Sequence, residues 1–276
     1  MRIDIVVPNQ GADAVKAIRA GPLLEKMGFA GLWLTDHVIG ADEYRHYGGQ
    51  WMEILSALAF LASSTSRVRL GTGILVLPYR NPVLTAKMIA TIDQLSGGRV
   101  DLGVGTGYAR TEFEALGVGP LHEERGRVTD ECLDVIKKCW AGGAVAASGS
   151  RFSFDAVEFS PQPAQNPSVP IWVGSRGVGR LPLRRAAQYG DYWHPVRVTP
   201  EELIDASNFI DDLAGRRVRR SARLVFGQAK PTEAVVEAIE SYRAAGCEQV
   251  AIDFRCESLS IYLKLAEQLS MRLMLV

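Results

Sequence analysis

Eight short runs of apolar and β-branched residues recur along this chain, separated by stretches with apolar residues at helical spacings of three and four. The runs are Ile3–Val7, Gly31–Thr35, Val68–Leu77, Val100–Val104, Ile171–Gly174, Tyr192–Val198, Leu224–Gly227 and Val250–Phe254. Continuous apolar runs are typical of parallel strands buried on both faces, which are joined by helices. A closed barrel of this kind takes about 250 residues, so the 276 residues fit it better than an open doubly wound sheet. We therefore predict an α/β fold, a (β/α)8 TIM barrel that occupies residues 1–276 as a single domain.

One interval between predicted strands is too long for a single crossover helix. Between the fourth and fifth runs the chain holds a helical stretch Glu123–Trp140, a Gly/Ala/Ser patch Gly142–Ser150, and the segment Arg151–Phe159. We interpret the last segment as a small hairpin that turns at Asp155-Ala156. An insertion after a barrel strand lies on the C-terminal face, where barrel active sites are built. The sequence thus predicts an insertion between strands 4 and 5, beside the active site.

The charge balance argues against a nucleic-acid partner. Lys and Arg number 31, as do Asp and Glu, so the formal net charge is zero. The arginines within residues 216–223 form a short run without interleaved aromatic residues, which we interpret as a solvated charge run. We therefore expect a small-molecule substrate and no nucleic-acid partner.

Cysteine spacing and apolar run lengths bear on the compartment and on metal binding. The four cysteines have neither C-x-x-C pairing nor a histidine at metal-ligand spacing, so we predict no metal site and no disulfide. The first residues alternate like a strand rather than like a signal peptide. No apolar run approaches the roughly 20 residues that a membrane span needs. We expect a cytoplasmic protein with no membrane partner.

Two titratable side chains, Asp36 and His37, close the second predicted strand, and the carboxyl ends of barrel strands are where catalytic groups lie. A rim histidine can exchange a proton near neutral pH, and an adjacent carboxylate can orient it. The alternative is a satisfied rim pair without chemistry. We take His37 as the candidate catalytic residue.

Glycines interrupt two otherwise strong strands. Gly71 and Gly73 lie in the third run, and the segment Gly103–Gly107 ends the fourth. Strand glycines mark a bulge or a close approach of the backbone to a ligand, and a barrel can also require them because neighbouring side chains fill its interior. Both interpretations stay open, and the spacing does not match the dinucleotide-binding G-x-G-x-x-G motif.

The segment that joins the fifth strand to an arginine-rich helix has the composition of an anion site. It consists of Gly174, Ser175, Arg176, Gly177 and Val178. Small residues at a helix N-terminus expose backbone N–H groups, and Arg176 adds positive charge. This segment is the best phosphate site in the sequence; the alternative is a glycine-rich turn with an N-cap serine.

Together these stretches resemble the luciferase-like monooxygenase superfamily, and within it the branch of oxidoreductases that use the deazaflavin coenzyme F420. The resemblance covers nearly the whole chain and depends on the order and spacing of several motifs. The motifs are Arg69–Pro82 (RLGTGILVLPYRNP), Asp93–Gly107 (DQLSGGRVDLGVGTG), Leu34–His37, Pro170–Ser175 and Gly190–Trp193.

The resemblance implies a cofactor site across the C-terminal mouth of the barrel. It implies a non-prolyl cis peptide at Gly73–Ile74, with Ile74 pressing against the back of the ring. The residues that it implies for cofactor binding are Asp36, His37, Gly73, Ile74, Val76, Thr106, Gly107, Gly174, Ser175, Arg176, Gly177 and Val178.

The sequence departs from the sugar-phosphate dehydrogenases of this branch at two positions. Tyr108 replaces an acidic residue after the Thr-Gly turn, and Ala41 stands where an aromatic residue is expected. A sugar-phosphate substrate is therefore not implied. We assign Tyr108, Trp193 and His194 to the substrate pocket instead, with His194 as a second candidate proton donor.

The expected activity is hydride transfer between coenzyme F420 and a small organic substrate that the sequence does not identify. Two alternatives stay open: an FMN-dependent monooxygenase that uses molecular oxygen, and a barrel that binds flavin without catalysis. Related barrels are often dimers through helices near the second and third strands. The apolar segment Trp51–Leu61 would suit a homodimer, although a helix packed on its own barrel looks the same in sequence.

Overall fold

A computed structural model describes residues 1–40 and 50–275 of the chain. Its strands are β1 (Arg2–Val6), β2 (Gly31–Leu34), β3 (Arg69–Thr72), β4 (Leu75–Val76), β5 (Val100–Gly105), β6 (Ala144–Ser148), β7 (Ser153–Glu158), β8 (Ile171–Arg176), β9 (Tyr192–Val196), β10 (Arg219–Gly227) and β11 (Gln249–Arg255). Its helices are α1 (Ala14–Arg19), α2 (Gly21–Lys26), α3 (Ile54–Ser64), α4 (Pro82–Ser96), α5 (Arg110–Ala115), α6 (Leu121–Ala141), α7 (Arg180–Tyr189), α8 (Pro200–Ala214), α9 (Thr232–Ala244) and α10 (Leu259–Leu273).

The main sheet is parallel and closes on itself. Its strand order is β3-β2-β1-β11-β10-β9-β8-β5-β4, and β3 also pairs with β5, which completes the ring. Because β3 and β4 are two parts of the third predicted run, the described residues form eight strand positions. The first and last strands are neighbours, with Ile5 opposite Ile252. The predicted (β/α)8 barrel is confirmed.

Capping residues at the helix ends explain where the helices begin and end. The Asn81 side chain accepts hydrogen bonds from the backbone N–H groups of Val83 and Leu84, and Pro82 occupies the first turn of α4. At the other end, Gly97 adopts a left-handed conformation with φ of 72°. Helix α8 begins with a capping box between Thr199 and Glu202. These capping residues set the length of each helix, so that the chain can continue into the next parallel strand.

The seventh barrel strand begins five residues earlier than predicted. We predicted Leu224 as its first residue, whereas β10 begins at Arg219. The arginines expected to form a solvated run belong in part to this strand: Arg219 stacks 4.1 Å from the ring centre of Tyr192, and Arg223 pairs with Asp253. The prediction was wrong because the interior of this barrel accepts charged side chains, which an apolar pattern does not reveal.

The insertion between the fourth and fifth barrel strands contains helices and a hairpin, as expected, but the hairpin turns elsewhere. Strands β6 and β7 pair antiparallel, so the Gly/Ala/Ser patch forms the first strand and Asp155-Ala156 lies within the second. The Glu131 carboxylate of α6 accepts hydrogen bonds from the N–H groups of Arg151 (2.8 Å) and Phe152 (2.7 Å). This contact between distant residues fixes the turn, and the local sequence does not predict it.

Polar groups fill the end of the barrel opposite the predicted site. The buried Asp4 carboxylate accepts hydrogen bonds from Arg2 (2.7 Å), the indole N–H of Trp33 (2.8 Å) and the Gln249 amide (2.8 Å). Above it, Trp172 packs edge-on to Trp33, with ring centres 5.0 Å apart. These side chains, of which all but Arg2 are buried, fill the floor of the barrel, at the end opposite the predicted site.

Helix α3 uses much of its apolar surface within the barrel. Leu55, Leu58 and Leu61 are buried, whereas Phe60 is exposed. The segment proposed for a homodimer is therefore largely packed on its own chain, and the homodimer stays a prediction. Among the residues that the structure describes, no helix combines the length and the apolar character needed to cross a membrane.

Candidate active site

The carboxyl ends of the barrel strands bring the predicted site residues to one face. His37 follows β2, Ile74 lies between β3 and β4, Thr106 and Gly107 follow β5, and the segment 174–178 ends β8. Parallel strands present these ends together, as in other barrels of this type. Together they surround the mouth of the barrel.

Ile74 projects over two glycines on neighbouring strands. A Cβ atom added to Gly174 would lie 2.5 Å from Ile74 Cγ2, and one added to Gly105 would lie 3.0 Å from Ile74 Cγ1. The Gly73–Ile74 peptide bond is cis, as the resemblance implies. The glycines at 105 and 174 therefore make room for the Ile74 side chain.

Two other strand glycines make room for neighbouring groups of the barrel itself. A Cβ on Gly71 would run into the Trp33 indole, and one on Gly103 would run into the Thr72 carbonyl. Gly107 has φ of +71°, and a Cβ there would lie 2.7 Å from Val76 Cγ1. The barrel-filling interpretation of the glycines thus applies to Gly71 and Gly103.

The Asp36 carboxylate is held by Arg80, which the sequence does not single out as a site residue. The Arg80 guanidinium donates two hydrogen bonds to the buried carboxylate, at 2.6 and 2.9 Å, and the Val76 N–H donates a third at 2.8 Å. This pairing ties the end of β2 to β4. The carboxylate of Asp36 is therefore not the group that orients His37.

Glu112, on α5, orients His37 instead. Its Oε2 lies 3.1 Å from His37 Nδ1 and accepts a hydrogen bond from the Tyr79 hydroxyl (2.8 Å), while Oε1 accepts one from the Val38 N–H (2.7 Å). Burial raises the pKa of this carboxyl, but the hydrogen bonds from His37, Val38 and Tyr79 hold the pKa below its usual range. An ionised carboxylate only accepts hydrogen bonds, so His37 carries a proton on Nδ1. In neutral His37, Nε2 is then the proton acceptor.

Aromatic side chains flank His37. The Trp51 ring centre lies 4.4 Å from that of His37, and Tyr108 meets it edge-on at 6.0 Å. Tyr108 is 57% exposed, so its ring stands at the rim of the mouth. The other departure from the family pattern, Ala41, lies outside the described residues.

The segment 174–178 forms a tight loop before α7. The Ser175 hydroxyl donates to the Gly177 carbonyl (2.9 Å), Gly177 has φ of +74°, and its N–H donates to Val196 O (3.0 Å). The N-cap of α7 is Gly179, which offers no side-chain cap, and the first turn has no acidic residue. Ser175 is therefore not the N-cap. In the first turn the N–H groups of Arg180 and Leu181 have no side-chain cap, and Pro182 has no N–H.

Two residues assigned to the substrate pocket lie elsewhere. Trp193 is buried in the layer between barrel and helices, and its indole N–H donates to Ser175 Oγ (3.0 Å). His194 points into the barrel and stacks on Trp33, with ring centres 4.8 Å apart. Because side chains alternate along a strand, these neighbours lie on opposite faces of the sheet. We expected both in the substrate pocket at the rim, and neither lies there.

The buried position of His194 also decides its proton chemistry. Burial, with the charges of Arg223 and Arg2, lowers the pKa of His194 to about 3. The Ser221 hydroxyl donates to Trp193 O (2.8 Å), so its contact with His194 Nδ1 (2.9 Å) places the proton on that nitrogen. His194 is neutral near pH 7, and the expectation of a second proton donor does not fit this environment.

Sequence reasoning missed four charged residues around the mouth. They are Arg80, Glu112, Arg223 and Asp253. Glu112 had one usable signal: it lies shortly after Tyr108 in the sequence, close to the position where the family pattern has its acidic residue. Within residues 1–40 and 50–275, no cluster of three or more His, Cys, Asp or Glu could hold a metal ion.

Comparisons with known proteins agree with this architecture. A solved structure described as an F420-dependent secondary alcohol dehydrogenase in complex with an F420-acetone adduct superposes with a TM-score of 0.84 at 18% identity, covering 97% of each chain. The F420-dependent glucose-6-phosphate dehydrogenase of Microbacterium testaceum (strain StLB037) is 35% identical over 158 residues, which are 57% of this chain and 46% of that protein.

A second relative carries a different name. The 4-hydroxyprotoasukamycin monooxygenase of Streptomyces nodosus subsp. asukaensis is 32% identical over 197 residues, 70% of this chain and 49% of that protein. The match thus spans about half the length of these curated relatives. The model of the family described as luciferase-like monooxygenase matches residues 1–269. Since that match covers nearly the whole sequence, the chain belongs to the luciferase-like monooxygenase family.

Proposed function

We propose that this protein is an oxidoreductase that exchanges a hydride between coenzyme F420 and a small organic substrate. The observation that carries the proposal is the apolar platform at the mouth of the barrel, where Ile74 stands over Gly105 and Gly174. A flat ring needs such a surface on one face. The relative named as an F420-dependent dehydrogenase supports the choice of cofactor.

The glycines beside Ile74 are compatible with a cofactor ring on this surface. Any side chain at Gly174 would collide with Ile74 or approach Val104 O, which lies 3.2 Å from the Cβ position. The glycines therefore leave room for the Ile74 side chain, which is partly exposed between β3 and β4. Ile74, with Thr106 and Gly107 beside it, would hold the ring of the cofactor.

The charged end of the cofactor has a separate candidate site. The first turn of α7, just after the loop 174–178, has no capping side chain on its N–H groups, and the Arg176 side chain in that loop is exposed. Backbone N–H groups at a helix start and a guanidinium both favour a phosphate. These residues would hold the phosphate of the coenzyme.

When bound, a deazaflavin supplies a ring carbon that accepts or donates a hydride. The chain would supply the proton chemistry through His37, whose Nε2 is its acceptor nitrogen when Glu112 holds Nδ1–H. Trp51 and Tyr108 flank His37 and would exclude water from a substrate there. Trp193 and His194, being buried, are not part of this assignment.

One alternative has specific support. The relative named as a monooxygenase favours a flavin that reacts with oxygen, so FMN is the second candidate cofactor. The third interpretation, a barrel that binds flavin without catalysis, differs from both in predicting no hydride exchange with any substrate.

A cofactor titration tests the proposal. The purified protein is titrated with F420 and with FMN while tryptophan fluorescence is followed, since Trp33 and Trp172 lie inside the barrel. Ile74→Ala removes the platform, and Leu95→Ala, at a side chain that is 77% exposed on α4, is the matched control. We expect micromolar or tighter binding of F420, binding of FMN at least tenfold weaker, and a loss of F420 affinity only in Ile74→Ala.

Three other experimental outcomes would each change the assignment. Tighter binding of FMN than of F420 would move the assignment to the monooxygenase alternative. Binding of neither cofactor would overturn both assignments. Binding of F420 with no hydride exchange against a panel of alcohols, ketones and activated alkenes would favour the non-catalytic barrel.

A further inference from the structure

One guanidinium reaches across the mouth of the barrel from β10 to the loop between β3 and β4. Arg223 Nη1 donates a hydrogen bond to the Gly73 carbonyl at 2.6 Å, and Nη2 lies 3.2 Å from the Thr35 hydroxyl. Residues 73 and 223 are 150 positions apart in the chain. The contact therefore joins two distant strand ends at the level of the mouth.

A carboxylate on the adjacent strand fixes the orientation of this arginine. Asp253 Oδ2 accepts hydrogen bonds from Arg223 Nε (2.9 Å) and Nη2 (2.6 Å). The Arg223 side chain is 12% exposed and that of Asp253 is 5% exposed. Arg255 also donates to Asp253, at 2.6 Å. Because the guanidinium is planar, the bonds of Nε and Nη2 to Asp253 also fix the orientation of Nη1. In this orientation Nη1 points at Gly73 O.

Gly73 O belongs to the peptide group that leads directly into Ile74. The position of the Ile74 side chain depends on the position of this backbone. A charge-assisted hydrogen bond to the carbonyl is about twice as strong as a neutral one, so Arg223 holds this carbonyl more firmly than a neutral donor would.

We propose that Arg223 is a positioning residue for the cofactor: by holding the Gly73 carbonyl it sets the height and tilt of Ile74 beneath the ring. This inference rests on the proposed function, because it assumes that Ile74 supports a deazaflavin. Arg223 acts through the backbone and need not touch the substrate.

A purely structural ion pair makes a different prediction. If the Arg223–Asp253 pair only stabilised the barrel, its loss would lower stability and leave the environment of a bound ring unchanged in the protein that remains folded. If Arg223 positions Ile74, its loss changes ring binding and leaves binding of a phosphate ion unchanged. Ring and phosphate can be probed separately because the deazaflavin chromophore is stable without its phosphate-bearing side chain.

The experiment uses the full chain with Arg223→Met, Arg223→Lys and the control Arg220→Met. Arg220 lies on the same strand but faces outward, where it donates to Asn208 (3.0 Å) and to Ala245 O (3.3 Å). For each protein we would measure the thermal unfolding midpoint and the dissociation constants for F420, for the phosphate-free chromophore and for inorganic phosphate. Visible circular dichroism of the bound chromophore reports its orientation.

We expect Arg223→Met to raise the dissociation constant of the chromophore at least tenfold and to change its visible circular dichroism, with phosphate binding within twofold of the original. Arg223→Lys should recover part of the affinity, since an ammonium can still donate to Gly73 O. Arg220→Met should leave all three constants unchanged.

Unchanged chromophore affinity and circular dichroism in folded Arg223→Met would overturn the inference while leaving the proposed function intact. If Arg223→Met does not fold, Asp253→Asn is measured instead, because it removes the carboxylate that orients Arg223; unchanged chromophore affinity and circular dichroism in that variant would overturn the inference. If the unmodified protein binds neither F420 nor the chromophore, the proposed function fails and takes this inference with it.

Discussion

Substituting Gly105 by alanine tests whether the glycines at the mouth exist to seat Ile74. The new Cβ would lie 3.0 Å from Ile74 Cγ1 and closer still to Cδ1, whereas carbon atoms pack at about 3.5–4.0 Å. The backbone of Gly105 is not left-handed, so alanine adopts it without strain. The conflict therefore falls on the Ile74 side chain, which has to turn away.

The loss of stability caused by Gly105→Ala depends on which neighbouring atoms can move away from the new Cβ. Overpacking costs typically about 1–3 kcal/mol, and because the end of a flexible side chain yields here, we expect a loss of about 1 kcal/mol in the free energy of unfolding. Turning Ile74 away should weaken F420 binding about tenfold or more, which corresponds to about 1.4 kcal/mol. Gly103→Ala differs because its Cβ runs into the Thr72 carbonyl, and it should cost about 3 kcal/mol or more.

Urea denaturation and the F420 titration measure the two effects. Gly227→Ala is the matched control, because no heavy atom lies within 4 Å of the Cβ position there. In an Ile74→Ala background the nearest Ile74 atom to the new Cβ is the original Cβ at 3.7 Å, so Gly105→Ala should then cost almost nothing. The double-mutant cycle isolates the coupling between the two positions.

A clear result would refute this reasoning. If Gly105→Ala is as stable as the unmodified protein and binds F420 equally well, the glycine does not seat Ile74. If the substitution costs the same with and without the Ile74 side chain, the conflict lies elsewhere in the barrel.

Three further predictions concern protonation. Burial raises the pKa of the Glu25 carboxyl, but hydrogen bonds from the N–H groups of Arg67 and Val68 hold it below its usual range; its contribution is present above the unfolded pKa of about 4.3 and is lost as the pH falls through the folded pKa. Glu25→Gln should therefore flatten the rise of unfolding free energy with pH below about pH 5, measured by urea denaturation. His194, with its pKa lowered to about 3, should show no titration between about pH 5 and 8 in ¹⁵N-edited NMR, and a titration there would contradict its buried placement. Burial raises the pKa of the Cys256 thiol to about 11, so a thiol reagent at about pH 8 should modify it far more slowly in the native than in the unfolded protein.

The barrel could be predicted from the sequence because each of its strands carries its own signal. Runs such as Val100–Val104 and Val250–Phe254 are apolar on both faces, as buried parallel strands are. The sequence did not predict the start of β10, because Ser221 and Arg223 face a polar interior and Arg219 is an exposed residue stacked on Tyr192. A search for apolar runs misses a charged side chain in a strand, such as Arg223, whose ion-pair partner lies on another strand.

The candidate site was predictable only in part, for a related reason. Ile74 and the loop 174–178 have local signatures of glycine, strand end and helix start. The partner of His37 does not: Glu112 is 75 residues away, and the sequence alone pointed to the adjacent Asp36. Which carboxylate reaches an imidazole is decided by the path of the chain in space.

The contact between Arg223 and the Gly73 carbonyl also links two halves of the polypeptide. Gly73 belongs to the half that contains β1–β5, and Arg223 to the half that contains β8–β11, with the hairpin β6–β7 between them. A half-barrel formed early in folding would hold Ile74 without the guanidinium that fixes it. If Arg223 positions Ile74 as proposed, full affinity for the ring requires both halves to be docked, so ligand binding during refolding would report the assembly of the complete barrel rather than the formation of its strands.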